Sequence, residues 1–169
     1  AIGFTQLKRL EELSLHRIKL ANYFTEKLWN FRGITPPAVL EHARHVYYLY
    51  VMKFDERRIG ISRDLFVKAV KAEGVPITSG YMRPLYLQSI YQRKKAYGNK
   101  KCPFVCAYYP KTITYRKGLC PVTERLEERE VMTTNITRIP LSYREINKFV
   151  RAIEKVFNNL DRLKKYKSR

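Results

Sequence analysis

The sequence predicts an α+β two-layer fold: a long N-terminal helix, a small, mostly antiparallel sheet packed by helices, and a C-terminal helix. Three observations carry this. Leu7, Leu10, Leu13, Leu20, Phe24 and Leu28 recur at helical spacing in a run from Gln6 to Phe31 that no proline interrupts. His45 to Phe54, HVYYLYVMKF, is rich in Val and Tyr and free of breakers, as a strand should be. Ser142 with Glu145 three residues on forms a capping box ahead of Ile146, Phe149, Val150, Ile153, Val156, Phe157 and Leu160, the apolar face of a final helix.

The elements follow in order. The first helix must end before Gly33, because Gly33-Ile34-Thr35-Pro36-Pro37 cannot continue it. The near-continuous apolar character of the next strand predicts burial on both faces. Asp55 to Arg58 is a charged turn. Ser62 then serves as N-cap, with Asp64 in the first turn and Leu65, Phe66, Ala69 and Val70 on the apolar side. Gly74 stops that helix, and Val75-Pro76-Ile77 runs extended. A short helix is expected within Leu87 to Tyr97, followed by a turn at Gly98-Asn99. Phe104 to Tyr109 is short and apolar, strand or loop. Pro121 fits the first position of a helix, since its missing N–H is harmless there, and Thr123 to Glu130 continues it. Val131-Met132 is extended, and Arg138 to Leu141 leads into the capping box.

Charge is the strongest bulk feature. Lys and Arg total 34 against 15 Asp and Glu, a formal +19. Such an excess raises nucleic acid, anionic membranes and phosphorylated small molecules as partners. No zinc-finger spacing and no aromatic RNA-binding signature accompanies it, so a solvated basic surface is preferred to a nucleic-acid or regulatory module. The hydrophobic fraction of 45% supports a proper core. No apolar run approaches a membrane span, and AIGFTQLKRL has no signal-peptide layout. A start of this kind reads as a fragment or a processed product. Cys102, Cys106 and Cys120 make an odd count, which argues for thiols in a reducing cytoplasm rather than a disulfide framework.

Gly74 to Tyr86, GVPITSGYMRPLY, gathers Thr78, Ser79, Tyr81, Arg83 and Tyr86 around a flexible Gly80. It is either a binding loop held by regular elements or an ordinary helix-to-strand connection. Elsewhere the chemistry is thin. His42 and His45 lie three apart without a third ligand. Glu124, Glu127 and Glu128 share a short helix with Arg125 and Arg129, a pattern that helical ion pairs explain. No catalytic constellation and no metal-ligand set assembles from spacing.

Several segments together resemble the C-terminal part of the DegT/DnrJ/StrS family of pyridoxal-phosphate-dependent sugar aminotransferases. Gly3, Gln6, Leu7, Leu10, Arg17, Ala21, Tyr23 and Leu28 fall on that family's opening helix pattern. HVYYLYVMKF, Arg63-Asp64 and Glu73-Gly74-Val75-Pro76 match its next block. GYMRPLY is similar to its aromatic-x-x-Pro-Leu-(His/Tyr) element, CPVTER (Cys120 to Arg125) to a CPVAER segment, and IPLSYREINKFVRAIEKV to its closing helix. VMTTNITRIPL departs from the Leu-Pro-His-like element of relatives.

The resemblance implies the small domain of a fold-type I aminotransferase. Residues 1–33 would bridge from a large domain that is missing here, and 34–169 would form the small domain. The complete enzyme would use pyridoxal 5′-phosphate, a keto-sugar or sugar-nucleotide substrate, and glutamate or glutamine as amino donor, and would work as a cytoplasmic homodimer. The family's Schiff-base lysine lies upstream of Ala1, so this chain alone is expected to bind no cofactor and to be inactive. Tyr81, Arg83 and Tyr86, with Thr78 and Ser79 behind them, would face sugar hydroxyls, phosphate or the donor carboxylate.

Overall fold

The computed structural model describes residues 2–95, 102–104 and 113–167. It shows helices α1 (Ile2–Lys8), α2 (Leu10–Leu28), α3 (Glu56–Ile59), α4 (Arg63–Ala72), α5 (Ser89–Gln92), α6 (Pro121–Arg125), α7 (Tyr143–Asn158) and α8 (Leu160–Lys167). Strands β1 (Ile34–Thr35), β2 (Tyr50–Phe54), β3 (Ile77–Ser79) and β4 (Val131–Thr134) form one sheet in the order β1-β2-β4-β3. Every neighbouring pair is antiparallel, with Met52 opposite Met132 and Thr78 opposite Thr133.

Two expectations are corrected at the first helix and the first long strand. The run from Gln6 is not one helix; it breaks at Arg9, where the Arg9 N–H donates to the Gln6 carbonyl at 3.0 Å. No Pro or Gly marks the break. The apolar stripe divides with it: Leu20, Phe24 and Leu28 are buried, whereas Leu7 is 65% exposed. The strand expected from His45 begins only at Tyr50, because Tyr47 adopts φ 48° and turns the chain. It is buried on one face, not both. Tyr50, Met52 and Phe54 point inward and Val51 and Lys53 outward, the alternation of an antiparallel sheet covered on a single side.

That covered side is the core. Phe24 of α2 packs its ring 5.0 Å from Tyr50, Phe66 of α4 lies 4.9 Å from Phe54, and Phe157 of α7 meets both Phe31 and Phe66. The Tyr50 hydroxyl, inside this layer, shares a 2.6 Å hydrogen bond with Thr25 Oγ1. Gly33 makes the α2–β1 corner possible: it takes φ +97°, and a Cβ there would come within 3.0 Å of Ile59.

Local signals account for most remaining boundaries. Asp55 Oδ1 accepts from the Arg57 and Arg58 amides, so the expected charged turn is a short capped helix. Ser62 Oγ accepts from Leu65 N at the start of α4. The capping box at α7 is complete, with Glu145 accepting from Ser142 N at 3.1 Å and Ser142 Oγ accepting from Arg144 N. Pro121 occupies the first turn of α6, which continues as a π-helical turn, Leu126–Glu130. The expected helix within 87–97 is a 3-10 turn, Leu85–Leu87, followed by α5. The Gly98-Asn99 turn, Cys106 and most of the Phe104–Tyr109 run lie outside the described residues. Among the described residues, no helix is long and apolar enough to cross a membrane.

Candidate functional site

The sheet face away from the core is where the loop of sequence interest arrives. Thr78 and Ser79 are not loop residues; they lie on β3, the edge strand. Thr78 Oγ1 pairs with Thr133 Oγ1 across the ladder at 2.7 Å. The chain then leaves the sheet at Gly80, whose N–H donates to Val131 O and whose carbonyl accepts from Thr133 Oγ1. Gly80 has φ +65°, and any Cβ would strike the Glu127 carboxylate. Only glycine lets the carboxylate come this close.

That approach has a purpose. Glu127 Oε2 accepts the Tyr81 N–H at 2.9 Å, fixing the start of the loop. At its other end the Tyr86 hydroxyl donates a short hydrogen bond to Glu124, whose Oε1 also accepts from Gly118 N at 2.6 Å. The Tyr86 bond, then the Gly118 and Cys120 amides, hold the Glu124 carboxyl below the usual carboxylate range. Desolvation and the adjoining carboxylate push the Tyr86 hydroxyl up to about 12. Gln88 Nε2 donates to Arg83 O and Gln92 Nε2 to Tyr86 O, closing the loop on itself.

The glutamates therefore do something other than expected. Glu124 and Glu127 do not pair along their helix with Arg125 and Arg129; they reach the loop. Glu128 pairs with Lys117, and Arg125 Nε meets Glu130 at 2.8 Å. The segment that carries them is anchored from below by Arg63, a side chain only 4% exposed. Its Nη1 donates to the carbonyls of Glu127 (2.5 Å) and Val131 (3.1 Å), its Nη2 to Glu128 O (2.8 Å), and its Nε to Asp64. A guanidinium has enough donors in a fixed fork to satisfy the ends of a π turn that leaves its carbonyls unpaired.

Between the loop and the open sheet face lies a groove of about 420 Å³. Val51, Val131 and Thr133 form its floor, Tyr81 and Met82 one wall, and His45 and Tyr48 the other. Of the residues singled out from the sequence, Tyr81 alone lines it. Tyr86 is turned to Glu124 and Thr78 to Thr133. Ser79 and Arg83 are exposed and do not line it, Ser79 standing opposite Met132 on the strand face that carries Ile77, and the Arg83 guanidinium has no hydrogen-bond or ion-pair partner among the described residues. His45, set aside in the sequence, is at the groove, its Nδ1 accepting from Tyr47 N; His42 is not. Among the described residues no group of His, Cys, Asp or Glu gathers as a metal site. The groove's donors are imidazole, hydroxyls and a carboxylate already engaged by Tyr81. Among the described residues no lysine amine lines it, so these residues do not fit the covalent anchoring of an aldehyde cofactor such as pyridoxal phosphate.

The one-sided sheet and its helical cover are a fold shared with solved aminotransferases. The aminotransferase from Psychrobacter cryohalolentis superposes with a TM-score of 0.70 at 23% identity, over 94% of this chain and 38% of that one. Spr1654 from Streptococcus pneumoniae, assigned as a sugar aminotransferase and solved in its PLP form, gives 0.63 at 20% identity, over 94% of this chain and 35% of its own. In sequence, the model of the DegT/DnrJ/EryC1/StrS aminotransferase family matches residues 1–134, and the chain belongs to that family. The spore coat polysaccharide biosynthesis protein SpsC of Bacillus subtilis (strain 168) is 30% identical over 114 residues. That match covers 68% of this chain and 29% of SpsC, so the chain spans roughly a third of the length of the relatives it matches.

Proposed function

We propose that this chain is the sugar-facing small domain of a pyridoxal-phosphate-dependent aminotransferase. The substrate class is a keto-sugar, nucleotide-linked or of cyclitol type, with glutamate or glutamine as amino donor. Family membership supports the reaction class, and SpsC and Spr1654 support a sugar as the acceptor. The observation that carries the reading is the loop from Gly80 to Tyr86, held at both ends by carboxylates of α6 and its π turn at the rim of a groove. A loop fixed in this way can present side chains without ordering cost on binding.

In this reading the complete protein holds the cofactor outside the groove, and the cofactor supplies the electron sink for amino transfer. Residues 1–33 would bridge to that cofactor-bearing part, and 34–169 would form the domain proper. Tyr81 offers its hydroxyl and ring to the sugar. Arg83 offers a guanidinium fork, without a partner among the described residues, to a phosphate or to the donor's carboxylate. Ser79, on the other face of the edge strand, is not expected to touch the sugar. Tyr86 and Thr78 keep the loop and strand in place and meet ligand only by giving up the bonds they now make. A homodimer in the cytoplasm is the assembly proposed with it.

The test is amino transfer by the complete enzyme supplied with pyridoxal phosphate, glutamate or glutamine, and a panel of keto-sugars, read by mass spectrometry. An aminated sugar is the expected product; amination of none of the panel, with the cofactor bound, would refute the assignment. The charge of +19 favours a second reading, a nucleic-acid-binding module. That reading predicts duplex or RNA binding that weakens steeply with salt, whereas the aminotransferase reading predicts no specific binding.

A further inference from the structure

The loop wall of the groove is held by carboxylates, and the opposite wall is held by an imidazole. His45 Nδ1 accepts the Tyr47 N–H at 2.9 Å, and the two rings lie 4.2 Å apart. Among the described residues that N–H has no other acceptor. Tyr47 depends on the bond because it sits at φ 48°, in the left-handed region that a residue with a Cβ resists. Its side chain is buried and stacks on Tyr50 at 5.9 Å, and its carbonyl accepts from Thr137 Oγ1 at 3.5 Å. Those contacts hold the ring and the carbonyl; the imidazole holds the amide. The turn decides where His45 and Tyr48 stand, because Tyr47 lies between them and β2 starts three residues on.

An imidazole nitrogen accepts only while it is unprotonated. Nδ1 as acceptor therefore places the neutral ring's proton on Nε2, and a second proton would go to Nδ1 and set N–H against N–H. His45 is exposed, so solvent protons reach it. Across the groove stand the Glu127 carboxylate and the Tyr81 hydroxyl, and beside His45 on its own wall is Tyr48. Arg138 places its guanidinium 5.9 Å from the Tyr48 ring centre, and Arg44 is held by Glu11 at 2.8 Å. His42 lies three residues earlier. Among these side-chain types only imidazole ordinarily changes charge between about pH 5 and 8. We propose that His45 is a pH-sensitive clasp on the groove: neutral, it holds the left-handed turn at Tyr47 and fixes the second wall; protonated, it releases the Tyr47 amide and loosens the wall that His45 and Tyr48 form. The wall is firm at the alkaline end of that range and loosens as pH falls. The clasp belongs to the wall whatever the groove binds, so its failure would leave the sugar reading untouched.

The experiment is NMR of the 169-residue chain between about pH 8 and about pH 5, the range in which imidazole titrates. It follows the His45 ring nitrogens, the Tyr48 backbone order parameter, and hydrogen exchange at the Tyr47 amide corrected for its intrinsic dependence on pH. Protection of the Tyr47 amide is expected to fall about two- to tenfold, the worth of one hydrogen bond, with the midpoint at which His45 titrates. The Tyr48 order parameter should fall with it. His45→Asn is expected to keep the protection throughout, because an asparagine carbonyl accepts from the N–H two residues on without titrating. His45→Ala should lack it at both ends of the range. Protection that stays level while the His45 ring titrates, or a Tyr48 backbone that stays equally ordered, would overturn the proposal. So would a fall that persists in His45→Asn, which would assign it to His42 or Glu127 instead.

Discussion

The two faces of the sheet are built by different physics. The covered face is apolar and aromatic: Tyr50, Met52 and Phe54 against Phe24, Phe66 and Phe157, held by area removed from water. The open face carries Val51, Lys53 and Thr78, and what covers it is a loop held by a few directed bonds from Glu124 and Glu127, on a segment that Arg63 anchors. Burial tolerates exchange of one hydrocarbon for another of similar volume. Directed bonds do not tolerate exchange, and they place individual atoms. The covered face therefore sets stability, and the open face sets the position of the groups beside the groove.

The comparison can be broken most forcefully at Phe66, which is fully buried between Phe54 and Phe157. Phe66→Ala should cost about 3–5 kcal/mol and unfold the chain at a clearly lower temperature by circular dichroism. A loss below about 1 kcal/mol would mean that the covered face is not the source of stability. Arg63→Ala comes next, at about 3 kcal/mol, because it strips the Glu127 and Glu128 carbonyls of their donor and leaves Val131 O with the Gly80 N–H alone. It should also raise hydrogen exchange at the Tyr81 amide, which Phe66→Leu should leave protected.

A smaller effect is set by pH. The Glu124 carboxyl is held below its ordinary value of 4.5, so its contribution is complete above that pH and fades as pH falls through the lowered value. The Tyr86 hydroxyl is raised from 10.0 to about 12, so its contribution is complete below pH 10 and fades as pH rises toward 12. Glu124→Gln should flatten the acid limb of a melting-temperature profile, and Tyr86→Phe the alkaline limb. Unchanged profiles would show that the loop latch adds nothing to folding.

The covered face was legible in the sequence, and the latch was not. Leu20, Phe24 and Leu28, and Ile146, Ile153 and Val156, are buried where helical periodicity puts them, and the Ser142–Glu145 box is present in full. Periodicity reports which residues avoid water, and on that face it is sufficient. It failed where a residue's partner lies far along the chain. Glu124 meets Tyr86 across 38 residues and Glu127 meets Tyr81 across 46, so their nearby arginines suggested helical pairs instead. Arg63 reaches carbonyls more than 60 residues away. The strand starts at Tyr50 rather than His45 because the chain turns at Tyr47, and nothing in the local composition marks that residue's φ. The one usable signal for the latch was Gly80 itself, a glycine just ahead of the Tyr81 loop.

The central claim is that this latched loop faces the sugar in an amino-transfer reaction. Steady-state kinetics of Arg83→Ala in the complete enzyme test it most directly, with keto-sugar and amino donor varied separately. The account predicts a KM raised about tenfold for the ligand whose anion Arg83 holds, consistent with loss of a charge-assisted pair, with the melting temperature unchanged. Unaltered kinetics for both substrates would contradict it.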